Sequence, residues 1–217
     1  LESFAEYQRE SAWTWEHLAL TRARVVCADP DFAARIEAEL RAALTAKRPA
    51  DELLIAVAEM RERMAKENGT DNAWSVKHVR GGLVDCEFIA QYLQLRHAHE
   101  KPEILDTGTS AAFVKLRDAG YLDPNIAENL IDATCLWRRL QGLLRLTLEG
   151  SHDPEKFPAP LRQKLADAAG VENYETLDRL VRKTAERTYI HFDTIIAGPA
   201  QAITASRADR STGETEQ

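Results

Sequence analysis

"VRGGLVDCEFIAQYLQLRHAHEKP", residues 79–102, opens on a glycine pair and runs on as a mostly apolar segment that carries Asp85, Glu87 and Gln91 in its first turns. At about 100° per residue, Leu83, Cys86, Ala90 and Leu93 fall on one face, and Val84, Phe88, Tyr92 and Leu95 on another. A helix apolar on two sides is wrapped by other elements, so the segment predicts a helical core built around it. The polar remainder is a strip of Glu87, Gln91 and Gln94, with Asp85 on the opposite side between Tyr92 and Ile89. Polar groups on a nearly buried helix require partners.

Two accounts of this polar content stand side by side. In the first, Asp85 bonds free N–H groups of the first turn and favours the positive end of the helix dipole, while Glu87 and Gln91 pair with arginines of a long downstream helix. In the second, Gly81 and Gly82 let a phosphate approach the helix start, with Lys77 and Arg80 supplying charge. An acid in the same turn opposes a phosphate unless a cation mediates.

Outward from this segment, helical spacing recurs. "SAWTWEHLALTRARVV" (11–26) places Trp13, Glu16, Leu20 and Arg24 on one row; its tryptophans read as packing residues. "DPDFAARIEAELRAAL" (29–44) has Asp29 as N-cap, Pro30 at the first helical position and a stripe through Phe32, Ile36, Leu40 and Leu44. "PADELLIAVAEMRERMAKENG" (49–69) repeats the device, with Asp51 as expected cap, a stripe through Leu53, Val57, Met60 and Met64, and Gly69 as the stop. "NAWSVKHV" (72–79) alternates enough to permit a short strand or extended link. Further helices are predicted over 109–120, 123–150 (capped by Asp123 before Pro124), 158–170 and 173–198. From Pro199 the residues are small and polar, which predicts a tail without fixed structure. The expected organisation is an all-α, multi-helix bundle over residues 1–199 and a disordered tail over 200–217.

Composition bounds the function. The 217 residues are 44% hydrophobic and 29% charged, with a formal net charge of -7, so nucleic acid, which selects clustered Lys and Arg, is an unexpected partner. No apolar run reaches the length of a membrane span. Cys27, Cys86 and Cys135 are odd in number and far apart, and read as core thiols of a reducing cytoplasm. His97 and His99 stand two apart, which on a helix points them to different faces rather than toward one metal. "DPD" at 29–31 has no phosphate-gripping loop before it. No serine or cysteine nucleophile pattern is present, so no catalytic residue and no metal ligand is assigned. In "CLWRRLQGLLRL" (135–146), Leu136, Leu140, Leu143 and Leu144 read as core, while Arg138, Gln141 and Arg145 share one face as candidate partners for the first motif's carboxylates or for a nucleotide.

These stretches carry a resemblance. "SFAEYQRESAWTWEHLALTRARVV" (3–26), then "SVKHVRGGLVDCEFIAQYLQLRHAHEKP" (75–102), then "LWRRLQGLLRL" (136–146) resemble, in order, the glutamine synthetase adenylyltransferase family. The likeness covers about Ser3 to Leu146, and the A-W-T-W-E-H and I-A-Q-Y-L-x-L-R-x-A-H-E-K-P forms resemble the family's C-terminal half, which transfers AMP from ATP to a tyrosine of glutamine synthetase. Cys86 stands where the family pattern more often has Ile, a swap between buried apolar types.

The resemblance implies that this is the helical domain following a nucleotidyltransferase domain, related to the one in the enzyme that uridylylates the signalling protein PII. The family's metal-binding aspartates would lie upstream, a chain beginning without Met being expected to be part of a longer one, and ATP with Mg2+ would serve the full-length enzyme. Lys77, Arg80, Gly81, Gly82, Asp85, Glu87 and Gln91 become candidate nucleotide- or active-site-lining residues, with Arg138, Gln141 and Arg145 in support. On this expectation the Gly81–Gln91 helix packs against the catalytic domain and closes one side of the ATP cleft. The competing expectation is a regulatory module whose helical face binds PII or glutamine synthetase.

Overall fold

A computed structural model describes residues 1–148 and 153–213. Among them the chain is helical throughout, without a strand. In order the helices are α1 (Glu2–Glu10), α2 (Thr14–Leu20), α3 (Pro30–Thr45), α4 (Ala50–Asn68), α5 (Leu83–His97), α6 (Thr109–Asp118), α7 (Pro124–Thr147), α8 (Ala159–Ala169), α9 (Tyr174–Phe192) and α10 (Gly198–Gly213).

The spine is α5, from the glycine-led 79–102 segment. Eleven of the fifteen residues of α5 are buried, and α2, α3, α4, α6, α7 and α9 all pack on it. Leu83, Cys86, Ala90 and Leu93 on one face and Val84, Phe88, Tyr92 and Leu95 on the other are all buried, which is what a helix apolar on two sides requires. Glu87, Gln91, Arg96 and His97 are the four of its residues left part-exposed.

Local signals set many of the ends. The Asp29 carboxylate accepts from Asp31 N at 3.0 Å, and that of Asp123 from Asn125 N and Ile126 N at 2.9 and 3.1 Å; both satisfy orphan donors of a first turn. Glu16 does the same work for α2, accepting from Trp13 N at 2.8 Å and from the Tyr7 hydroxyl at 2.7 Å. Asp51 does not cap α4, because the helix begins one residue before it, after Pro49. The helix expected over 11–26 stops at Leu20 rather than running to Val26, and Trp13 and Trp15 are 70% and 49% exposed instead of packed. On α3 only Leu44 is buried, and Phe32 faces solvent.

The 72–79 segment forms consecutive turns, not a strand or extended link. It is pinned by Trp74, which is fully buried. The Trp74 indole stacks on Tyr174 with centroids 5.1 Å apart, meets Phe157 edge-on at 5.4 Å, and donates from Nε1 to Asp178 Oδ1 at 2.8 Å. A polar partner at the indole N–H lets so large a ring be buried without leaving a donor unpaired.

The expected tail is instead a helix through Gly213. A π-helical turn, Asp193–Ala197, joins α9 to α10 without a break, so α10 extends an existing helix and avoids the cost of nucleating a new one. Its small residues let it lie close to α4: Ala200 is buried and Ile203 packs at the edge of the core. Residues 214–217 of the expected tail lie outside the described residues, as do 149 and 150 at the end of the predicted long helix.

Candidate functional site

The glycine pair and Asp85 form one closed unit. Asp85 is wholly buried, and its Oδ1 accepts from Arg61 Nε at 2.5 Å while its Oδ2 accepts the Gly81 backbone N–H. Arg61 is itself 1% exposed. A buried carboxylate needs such a partner, because desolvation of an unpaired charge exceeds any packing gain. Gly81 has φ +79, and a Cβ there would sit 1.7 Å from the Ala185 carbonyl oxygen on α9. At Gly82 a Cβ would sit 2.6 Å from Val76 O. The glycines thus admit neighbouring backbone, not a ligand.

The donors at the start of α5 are also taken. Gly82 N bonds Val79 O at 2.8 Å, Leu83 N bonds Val76 O at 2.8 Å, and Val84 N bonds Lys77 O at 3.2 Å. With Gly81 N on Asp85, no free N–H group remains to receive a phosphate, which removes the anion-binding version of this helix start.

Glu87 pairs with Arg22, Nη1 to Oε1 at 2.6 Å, not with the long helix. Arg138 donates to the Thr109 hydroxyl at 3.0 Å instead of reaching α5. Gln94 is buried, donating to Ala90 O and accepting from Asp106 N at 2.8 Å, and Gln91 is half-buried. The two acids thus tie α5 to α4 and to the segment after α2. Arg61 escaped the sequence reading although a signal existed: it follows Val57 by four residues on the buried stripe of α4, a charged residue where an apolar one belongs. Arg22 offered no comparable signal.

Two of the candidate cations and one amide do meet. Lys77, Gln141 and Arg145 line one cavity of about 320 Å³ with Ser75, Val76, His78 and Leu144, between the 75–78 turn and the last turns of α7. Burial, then the charges of Lys77 and Arg61, hold the His78 imidazole below its ordinary value. Arg80 points elsewhere, lying over the Tyr189 and Phe192 rings at 5.0 and 5.2 Å. It lines a larger groove of about 820 Å³ between α4 and the α9–α10 junction, whose wall mixes Glu59, Glu62 and Asp193 with Arg63 and Lys66 over an alanine-rich floor.

The remaining candidates fall outside these sites. His97 stacks on Tyr121 at 4.1 Å, and His99 Nε2 lies 3.5 Å from Glu100. Among the described residues no group of three or more His, Cys, Asp or Glu is placed to hold a metal ion, and no helix is long and apolar enough to cross a membrane. Cys27 and Cys135 are exposed, against the expectation of core thiols; only Cys86 is buried.

Comparison with known proteins adds two family matches. Residues 51–196 match the family described as GlnD PII-uridylyltransferase, and residues 1–39 match that described as glutamate-ammonia ligase adenylyltransferase. The first match carries the likeness past Leu146 and through α9, beyond the reach of the sequence motifs. The chain is 43% identical over 200 residues to the bifunctional glutamine synthetase adenylyltransferase/adenylyl-removing enzyme of Rhodopseudomonas palustris (strain TIE-1), covering 91% of this chain and 20% of the relative. The proteins of the same name in Bradyrhizobium diazoefficiens and Xanthobacter autotrophicus are each 39% identical over 93% of this chain and 20% of their own length. The chain therefore spans about a fifth of the length of the curated relatives it matches.

Proposed function

The chain belongs to the family described as GlnD PII-uridylyltransferase, and on that premise we propose that it is the helical domain of a glutamine synthetase adenylyltransferase, in the half that moves AMP from ATP to a tyrosine of glutamine synthetase. The order of the two family matches and the printed names of the relatives support this reading. In the longer enzyme ATP and Mg2+ belong to the nucleotidyltransferase domain, where metal ions neutralise charge on the attacking and leaving oxygens. Among the described residues no group of three or more His, Cys, Asp or Glu is placed to hold such an ion.

One observation carries the role of the acids: Asp85 and Glu87 are each joined to an arginine of the same chain, Arg61 and Arg22. They hold a framework. Asp85 fixes the turn before α5, and through that turn the position of Lys77 opposite Gln141 and Arg145, which we propose line the nucleotide side of the domain. The test is Asp85→Asn and Glu87→Gln in the longer enzyme, with AMP transfer and thermal melting measured together. A framework role predicts that activity falls only as the folded fraction falls. Loss of AMP transfer at unchanged melting would overturn it in favour of direct participation.

The mixed-charge groove between α4 and α10 favours a second reading, a regulatory module that binds PII or glutamine synthetase. Calorimetric titration of the chain with PII, and separately with ATP and Mg2+, separates the two: heat with PII alone supports the module.

A further inference from the structure

The cavity between the 75–78 turn and α7 gathers one sign of charge. Lys77 and Arg145 are fixed cations, His78 can become one, Ser75 and Gln141 add a hydroxyl and an amide, and among the described residues no carboxylate lines it. The chain as a whole is acidic, at -7, and three of its other arginines, Arg22, Arg61 and Arg182, are paired with carboxylates. Among the described residues, nothing makes a hydrogen bond or ion pair with the side chains of Lys77, Gln141 or Arg145. The carbonyl end of α7 accounts for Arg145, since a cation there opposes the helix dipole favourably. It does not account for Lys77 and His78 converging on the same space from another segment.

The chemistry of this lining suits one tetrahedral oxyanion. A guanidinium fork and an ammonium supply charge-assisted bonds, and the hydroxyl and amide supply neutral ones around them. About 320 Å³ lies at the small end of ligand sites, enough for a phosphate group with water or for the phosphate end of a larger molecule left partly outside. The Arg61 charge, itself held by Asp85, adds to the positive field at His78.

We infer that this cavity binds a phosphate-bearing anion, gripped by Lys77 and Arg145 and completed by Ser75, His78 and Gln141. It rests on the proposed lining role of Lys77, Gln141 and Arg145 only for which molecule carries the phosphate.

The test uses the 217-residue chain, read by proton NMR of the histidine rings and by calorimetry, with His78→Gln identifying the His78 signal. Inorganic phosphate and ATP are titrated separately, each against sodium chloride at equal ionic strength. Either ligand should raise the His78 pKa, and Lys77→Gln with Arg145→Gln should weaken binding about tenfold or more without moving the urea midpoint. Binding of inorganic phosphate makes the free anion sufficient; binding of ATP alone assigns the phosphate to the nucleotide. A His78 signal that responds to neither beyond the chloride control, or a double variant that binds as tightly as the parent, overturns the inference. Because this readout involves no AMP transfer, its failure is separate from failure of the proposed function.

Discussion

Arg61 Nε donates to Asp85 Oδ1 at 2.5 Å with both side chains sealed from solvent, and the second oxygen of Asp85 holds the Gly81 N–H. One carboxylate therefore joins α4 to α5 and fixes the turn between the 75–78 segment and the spine helix. Asp85→Asn leaves the Arg61 charge buried without a counter-charge, a change that costs about 3–5 kcal/mol. Replacing both, Arg61→Met with Asp85→Leu, removes that penalty and leaves the Gly81 N–H orphaned, at about 1–3 kcal/mol. Urea unfolding of the three proteins should show the double variant more stable than Asp85→Asn; the reverse order would mean that the pair is not the main source of the loss.

Gly81 offers a second measure of how tightly this turn is held. A methyl group there meets the Ala185 carbonyl oxygen, and φ +79 disfavours any L residue; together the clash and the strain should cost about 3 kcal/mol or more. Gly120 has the same φ +79 with nothing within 4 Å of its built Cβ, so Gly120→Ala isolates the backbone term, about 1–2 kcal/mol. Denaturant midpoints of the two alanine variants should differ by the steric contribution alone. Equal losses would show that α9 yields at Ala185.

What the sequence made legible was local. The caps at Asp29 and Asp123 lie within three residues of the donors they serve, and the two-faced pattern of α5 is complete within the helix itself. The purpose of Gly81 was not legible, because the group it accommodates, Ala185 O, belongs to a distant helix. The same holds for Asp85 and Arg61, 24 residues apart, where spacing within one helix says nothing about which neighbour arrives. The chemistry of Lys77, Gln141 and Arg145 is legible in the sequence, but only the packing of α7 against the 75–78 turn brings them together. Polar composition misled at α10, where attachment to an ordered helix and small residues facing α4 outweigh a low content of large apolar side chains.

The three cysteines should separate cleanly by reactivity. Burial pushes the Cys86 thiol up to about 12, so it carries almost no thiolate at neutral pH, whereas Cys27 and Cys135 are exposed. A maleimide reagent at neutral pH should label two thiols rapidly and the third only when denaturant opens the core around α5. Mass spectrometry of the labelled peptides checks the assignment, and prompt labelling of Cys86 in the native chain would contradict the burial of the spine.

Acid should loosen the junction between Trp74 and α9. Burial raises the Asp178 carboxyl, but the hydrogen bonds from Arg182 and from the Trp74 indole, with the Arg182 charge, outweigh it and hold the group below its ordinary 3.8. A carboxyl depressed by folding contributes stability that is present above its unfolded value and disappears as pH falls through the folded one. Asp178→Asn weakens the acceptor beneath a fully buried tryptophan and should cost about 1–2 kcal/mol at pH 7. That difference should shrink below about pH 4, where the parent protein also loses the charge. Urea midpoints of parent and variant between pH 7 and pH 3 measure it. Parallel curves across the range would place the acid-linked stability in other carboxylates and leave the Trp74–Asp178 bond without a charge contribution.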